Sequence, residues 1–233
     1  MELTPKGSIT VVAVHGAWAD GSSWRDVILG LEREGLRVVA APIPLSSLRD
    51  DIAALKRTIA RAEGPVILTG HAYAGAVISA VDDERVKALV YIAGLAPDEG
   101  ETVAQVFNRD EKHPQSPQLA PDADGFIWMP DAGFGNAFSQ NATEEQIALS
   151  AAVQRPISVK CIQEPVLTPI WRSKPSWYLK AEEDRMINPK TQHFMAKRMG
   201  ATTRSLSVDH TPLLSAPEKV VDIILEARQA VFA

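Results

Sequence analysis

Val66-Ile67-Leu68-Thr69-Gly70-His71-Ala72-Tyr73-Ala74-Gly75-Ala76 decides the fold. The apolar run at its start reads as a strand over 66–69, buried on both faces. It meets a turn of glycine and alanine and passes without a linker into a helix expected over 72–81. Small residues suit that junction, because the turn is strained and the helix must pack close to the strand. Strand, sharp turn and helix in this order are the setting of the G-x-S-x-G nucleophile elbow. Here Ala72 holds the nucleophile position and Ala74 the final glycine position. Alanine at 74 is a mild change. At 72 it removes the only side-chain atom that could attack.

Outward from this stretch, β and α alternate. Strands are expected over 9–14 and 37–43. Between them lies a helix over 22–34, with Trp24, Val27, Ile28 and Leu31 at helical spacing and Gly35 as its stop. Ser47 and Asp50 open the next helix in the manner of a capping box, and Leu48, Ile52, Leu55 and Ile59 form its apolar stripe. A fourth strand follows over 86–95. At Pro97 the alternation breaks, and it resumes only after Pro175. This stretch holds nine of the sixteen prolines together with Phe107, Phe126, Trp128, Phe134, Phe138 and Trp171. Structureless loops of that length are uncommon in a compact domain, and 143–154 has helical spacing. We therefore expect 98–175 to be an inserted, mostly helical cap, with 1–97 and 176–233 forming the core. The core is completed by a strand over 177–181, a helix from Asn188-Pro189 to Met199, a strand over 202–208 and a C-terminal helix. A capping box at Ser215-Ala216-Pro217-Glu218 opens that last helix. The expected fold is α/β: a six-stranded, mostly parallel sheet with helices on both faces.

Composition narrows the function classes. In 233 residues, 45% are hydrophobic and 23% charged, which is ordinary for a globular chain. A net charge of −5 gives no electrostatic footprint for nucleic acid or an anionic membrane. No apolar run approaches the roughly 20 residues of a membrane span, and Met1 to Lys6 lack a signal-peptide pattern. The single cysteine, Cys161, can form neither an internal disulfide nor a Cys-rich metal site. No dinucleotide or P-loop fingerprint occurs. The expectation is a cytoplasmic protein with no cofactor and no metal, acting on a small apolar molecule; the oligomeric state is not legible.

Three further segments carry chemistry, each placed after a strand. Val14-His15-Gly16-Ala17-Trp18 follows the first strand and faces the elbow. The backbone N–H groups of Ala17 and Tyr73 could together hold an oxyanion, with His15 and Trp18 beside the ligand. Ala181-Glu182-Glu183-Asp184-Arg185 follows the fifth strand, at the carboxyl edge where open α/β sheets place their sites. Asp184 is the expected acid and Glu183 its competitor. Val208-Asp209-His210-Thr211-Pro212 follows the last strand, and His210 is the expected base. His71 is expected to pack or bond locally, and His113 and His193 have no metal-ligand spacing.

With these motifs in the order nucleophile position, acid, histidine, the chain resembles the α/β-hydrolase superfamily. It is most similar to the compact esterases related to plant methyl-salicylate esterases and hydroxynitrile lyases. The marks are Val14 to Ala17, Gly70 to Gly75, Ala181 to Arg185 and Asp209-His210. The resemblance implies a Ser-His-Asp triad, no cofactor, and a helical cap over an apolar pocket. Carried over, the acid is Asp184, the base His210 and the oxyanion donors Ala17 and Tyr73. That family's elbow reads G-H-S-[YM]-[GA]-G, so residue 72 departs from it. Ala72 fits either an engineered change that traps a complex or a native residue.

Three functions remain open: an ester-hydrolase-type site lacking its nucleophile, a cofactor-free lyase, isomerase or C–C hydrolase working through His210 and Asp184, and a non-catalytic small-ligand receptor. For the pocket we expect a largely apolar chamber, with Trp128 as its first wall residue and the Tyr73 hydroxyl among its few polar groups. Such a chamber suits a small aromatic or alicyclic ester, lactone or ketone better than a sugar or peptide.

Overall fold

The computed structural model describes residues 9–232; the signal-peptide question at Met1 to Lys6 lies outside them. Eight strands are present among these residues. Six of them are β1 (Thr10–Val14), β2 (Arg37–Ala41), β3 (Val66–His71), β4 (Val86–Ile92), β7 (Ser176–Ala181) and β8 (Thr202–Leu206). These six form one sheet in the order β2-β1-β3-β4-β7-β8, and every pairing is parallel. β1 alternates faces residue by residue. Val12 and Val14 enter one core with Leu55, Ile59 and Val77, whereas Val11 and Ala13 enter the other with Trp24, Leu31 and Ile224. Both faces are thus buried, as the continuous apolar runs required.

Helix α1 (Arg25–Arg33) and helix α10 (Pro217–Phe232) cover one face, and α2 (Leu48–Ile59) and α3 (Ala74–Ser79) cover the other. A 3₁₀ turn over Gly21–Trp24 precedes α1. Ser47 caps α2 as expected, accepting from Asp50 N–H at 3.0 Å. The box is only half formed, because the Asp50 carboxylate accepts from Ser46 instead. The second expected box is absent. Ser215 ends a short helix, α9 (Pro212–Ser215), and gives its hydroxyl to Asp209 at 2.6 Å. Asn188 and Pro189 open α8 (Pro189–Arg198) as expected, and Gly200 stops it at φ +63°.

Between β4 and β7 the chain forms α4 (Val103–Phe107), β5 (Phe126–Ile127), α5 (Asp131–Gly133) running into a π turn over Phe134–Phe138, α6 (Glu144–Ala152), β6 (Ile157–Ser158) and α7 (Val159–Gln163). β5 and β6 pair antiparallel, a feature the sequence pattern does not disclose. This segment is stitched to the sheet's carboxyl edge. Trp18 N–H donates to Arg155 O, Trp18 Nε1 to Ile127 O, and Ser158 N–H to Leu45 O, at 2.9–3.0 Å.

β1 lies between β2 and β3, so the chain reverses direction across the sheet there. That reversal is the topological switch point where such sheets place their sites. Among the described residues four non-glycine residues have positive φ, and each follows one of the first four strands: Trp18 (57°), Leu45 (60°), Ala72 (50°) and Ala93 (44°). Strain of about 1–3 kcal/mol per such residue persists only where surroundings enforce it.

An acidic group on a helix is buried beneath this edge. Asp51, on α2, accepts from Tyr73 Oη at 2.6 Å, Leu45 N–H at 2.7 Å and Cys161 Sγ at 3.6 Å. Burial pushes its pKa from 3.8 up to about 6, against those hydrogen bonds. A raised folded pKa means that the group's contribution to stability is complete below about pH 4 and lost as pH rises through about 6. That loss amounts to about 2–3 kcal/mol. Urea unfolding at pH 4 and pH 7 checks it: Asp51→Asn raises the stability at pH 7 relative to that at pH 4 by that amount, and an unchanged difference contradicts it.

Candidate active site

Residue 72 is locked at the tip of the β3–α3 turn. Ala72 N–H donates to Ile92 O at 3.1 Å, and its carbonyl accepts from Leu95 N–H at 2.8 Å and Gly75 N–H at 3.0 Å. The turn tolerates no bulk. A Cβ on Gly75 would lie 2.5 Å from Leu95 O, and one on Gly16 would lie 3.2 Å from Ala72 Cβ. The first contact explains why the helix starts at Ala74 packed against the chain after β4. The second lets the loop after β1 close over the elbow. The N–H groups of Ala17 and Tyr73 have no acceptor among the described residues, and both residues line the same chamber as Ala72.

Of the two candidate carboxylates, Asp184 meets the histidine. Its Oδ2 lies 2.8 Å from His210 Nδ1, with both side chains buried. Asp184 Oδ1 also accepts from Met186 N–H and Ile187 N–H, and Oδ2 from Gln192 Nε2, all at 2.7–2.8 Å. A carboxylate can only accept, so Nδ1 carries a proton, and it is Nε2 that holds the lone pair in the neutral tautomer. Glu183 is exposed and bonded elsewhere, its carboxylate accepting from Asn141 Nδ2 and its carbonyl from Gln140 Nε2.

Several residues that hold the pair carry little or no signal in the sequence. Gln192 carries none. Asp209 stands out only as His210's neighbour. It is fully buried and accepts from Asn141 N–H, Thr211 N–H and Ser215 Oγ. Ser139, Gln140 and Asn141 thus form a strap bonded to both loops, with Thr211 Oγ1 donating to Ser139 Oγ. Phe138, next to the strap, packs 5.3 Å from the His210 ring. His71 is not merely local: its Nε2–H donates to His210 O at 2.7 Å. Burial, with His210 alongside, pushes its pKa down to about 3, so the ring stays neutral.

The chamber over Ala72 encloses roughly 800 Å³ of empty space including its open mouth. Trp18, Leu95, Phe107, Ile127, Phe138 and Met186 form much of its wall, and the lining is largely apolar, as expected. Three expectations fail. Trp128 stands outside, 51% exposed, with Nε1 donated to Asp122. Strand alternation explains this: Ile127 of β5 turns inward, so its neighbour turns out. His15 is buried but does not line the chamber, because its ring turns to bond Gly16 O at 2.9 Å. The Tyr73 hydroxyl is directed to Asp51, away from any ligand. With Trp128 in solvent, the sequence-based ground for a small aromatic or alicyclic ester, lactone or ketone is removed; the structure shows an apolar lining formed without it.

Known proteins share this architecture. A crystallised pyrethroid hydrolase from Sphingobium faniae superposes with TM-score 0.81 at 21% identity, covering 96% of this chain and 98% of its own. Polyneuridine aldehyde esterase superposes with TM-score 0.80 at 18% identity, covering 94% and 98%. In sequence, norfluorocurarine synthase 2 of Strychnos is 25% identical over 94% of this chain and 95% of its own. Residues 11–223 match the alpha/beta hydrolase family, and the chain belongs to it.

Proposed function

We propose that this protein carries an ester-hydrolase-type site for a small, largely apolar ester or lactone, with the 98–175 segment as its cap. In it Asp184 orients His210, the N–H groups of Ala17 and Tyr73 receive the developing oxyanion, and Ala72 stands where a nucleophile would. The observation that carries this is the Asp184–His210 hydrogen bond, set beside a residue 72 at φ +50°. In such a site the histidine takes the nucleophile's proton and later returns it to the leaving group. Trp18 and Phe138 confine the substrate, and the two amides stabilise charge that appears only in the transition state. Loss of the serine from such a site costs about 10⁶ in kcat and leaves about 10³–10⁴ over water. Several similar proteins carry esterase or hydrolase names, which agrees with this reading.

The protein as sequenced is expected to turn over p-nitrophenyl acetate near background. Ala72→Ser is expected to raise the rate at least about 100-fold, given the size of that loss. Initial rates with an intact circular-dichroism spectrum check this; a restored serine with no gain refutes the reading.

A second reading is favoured by the completeness of the dyad around an alanine, and by a relative named as a synthase rather than an esterase. Here the His210 lone pair takes a proton either from a water as its oxygen adds to a carbonyl, leaving an alkoxide, or from a carbon acid, leaving an enolate, and the two amides hold that oxyanion. Lyase, isomerase and C–C hydrolase reactions follow from that step. On this reading a screen of small ketones, lactones and hydroxynitriles finds turnover by the unaltered protein. His210→Ala then lowers it by about 10²–10⁴-fold. Activity that survives the substitution excludes the dyad.

A further inference from the structure

Polar groups on the chamber wall are few, and most are committed. The Tyr73 hydroxyl is given to Asp51, and His210 Nδ1 to Asp184. Two polar residues remain, Asn108 and Lys112, both just beyond α4. Asn108 gives its amide N–H to Ala104 O at 2.7 Å. Lys112 is the only lysine or arginine in the lining. Among the described residues no carboxylate lies within ion-pair distance of it, although nearby Arg109 is paired with Asp110 at 2.6 Å. The Lys112 ammonium stands 5.3 Å from the centroid of the Phe107 ring, itself part of the chamber wall.

The backbone that carries Lys112 is fixed rather than loose. Asn188 Nδ2 donates to Glu111 O at 2.7 Å, and Thr191 Oγ1 donates to Asp110 at 2.8 Å. The Arg109 guanidinium stacks 3.9 Å over Phe194 of α8. These three contacts anchor 109–111 against α8 and its cap. The exposed Lys112 ammonium, with no carboxylate partner among the described residues, therefore extends from a fixed stretch of backbone at the wall of an apolar chamber, in a chain whose net charge is −5. Apolar walls draw in a hydrocarbon body by burial, and the ammonium adds a preference for an anion at one end of it.

We infer that the chamber selects small apolar molecules bearing one carboxylate, which pairs with Lys112 at the mouth while the body lies toward Ala72. Taken with the esterase reading, on which the choice of substrate rests, the substrates are half-esters of dicarboxylic acids, with the reacting carbonyl at the elbow.

Binding tests the ligand class without any turnover. Calorimetry at low salt on the unaltered protein compares octanoate with octanamide, which share size and shape but not charge. Octanoate is expected to bind about two- to fivefold more tightly, the range of a solvent-exposed ion pair. Lys112→Gln removes that ratio, Lys112→Arg keeps it, and added salt shrinks it. A ratio that persists in Lys112→Gln overturns the inference, because His210 or the free amides then hold the anion. Failure of both ligands to bind overturns it as well. In the Ala72→Ser background, Lys112→Gln is expected to raise the KM of mono-p-nitrophenyl adipate relative to p-nitrophenyl hexanoate by the same factor. Should Ala72→Ser prove inactive, the esterase reading fails while the calorimetric result stands by itself.

Discussion

The whole site hangs on one backbone torsion, φ +50° at residue 72. That conformation is unfavourable for an L-residue, because its Cβ crowds its own carbonyl. Three hydrogen bonds hold it: one from Ala72 N–H to the end of β4, and two onto its carbonyl from Gly75 and Leu95. They also splice β3, α3 and the chain after β4 into one rigid corner. The glycine at 75 is part of the same constraint, since a methyl there would collide with Leu95 O. Only this corner aims the residue-72 side chain out of the sheet edge and frees the Tyr73 N–H. The neighbouring strand ends repeat the device at Trp18, Leu45 and Ala93. Two of these, Trp18 and Leu45, commit their backbone groups to the 98–175 segment, which fixes it over the edge.

From that corner the dyad is assembled by a separate set of contacts. Asp184 is turned inward by the N–H groups of Met186 and Ile187 and by Gln192. His210 is set by Asp184 on its ring and by His71 on its carbonyl. The strap at 139–141 then ties the two loops to each other through Glu183 and Asp209. A buried carboxylate is tolerated because its lone pairs are met by donors and its charge faces the imidazole. His71 stays neutral against the His210 ring, so the support it gives through the His210 carbonyl adds no charge to the site.

How far the sequence discloses this depends on the range of each interaction. The parallel sheet and most strand and helix positions follow from local periodicity, and so does the elbow, whose small residues are adjacent in the chain. Asp184 and His210 are legible because each follows a strand whose end must lie at one edge. Their supports are not. Gln192, Asn141 and Asp209 act across 8 to 68 residues of chain, and nothing in their spacing announces a partner. Trp128 is misplaced for a related reason. Density of apolar residues marks a buried strand but not its register, and a one-residue shift exchanges the inward and outward faces. The Ser215 box fails because the hydroxyl finds a buried carboxylate, Asp209, that the sequence pattern could not weigh against a helix end.

The same separation of contacts bears on what an intact dyad means. None of the groups that position Asp184 or His210 is the side chain of residue 72. Met186, Ile187, Gln192 and His71 would hold them equally around a serine or an alanine. Removing Asp184 would leave donors buried without an acceptor, at about 1–3 kcal/mol each. Removing His210 would leave that carboxylate buried without its partner. Both residues therefore carry structural weight that a nucleophile does not. A site can lose its serine and keep its acid and base for the sake of the fold, so the dyad carries the ester reading only together with the elbow conformation at residue 72. A further bearing on chemistry comes from groups with no use in the fold: the Ala17 and Tyr73 amides have no acceptor among the described residues, and both residues line one apolar chamber with His210. Donors that the fold leaves uncommitted on the wall of a pocket are the polar groups by which such a pocket orients a ligand.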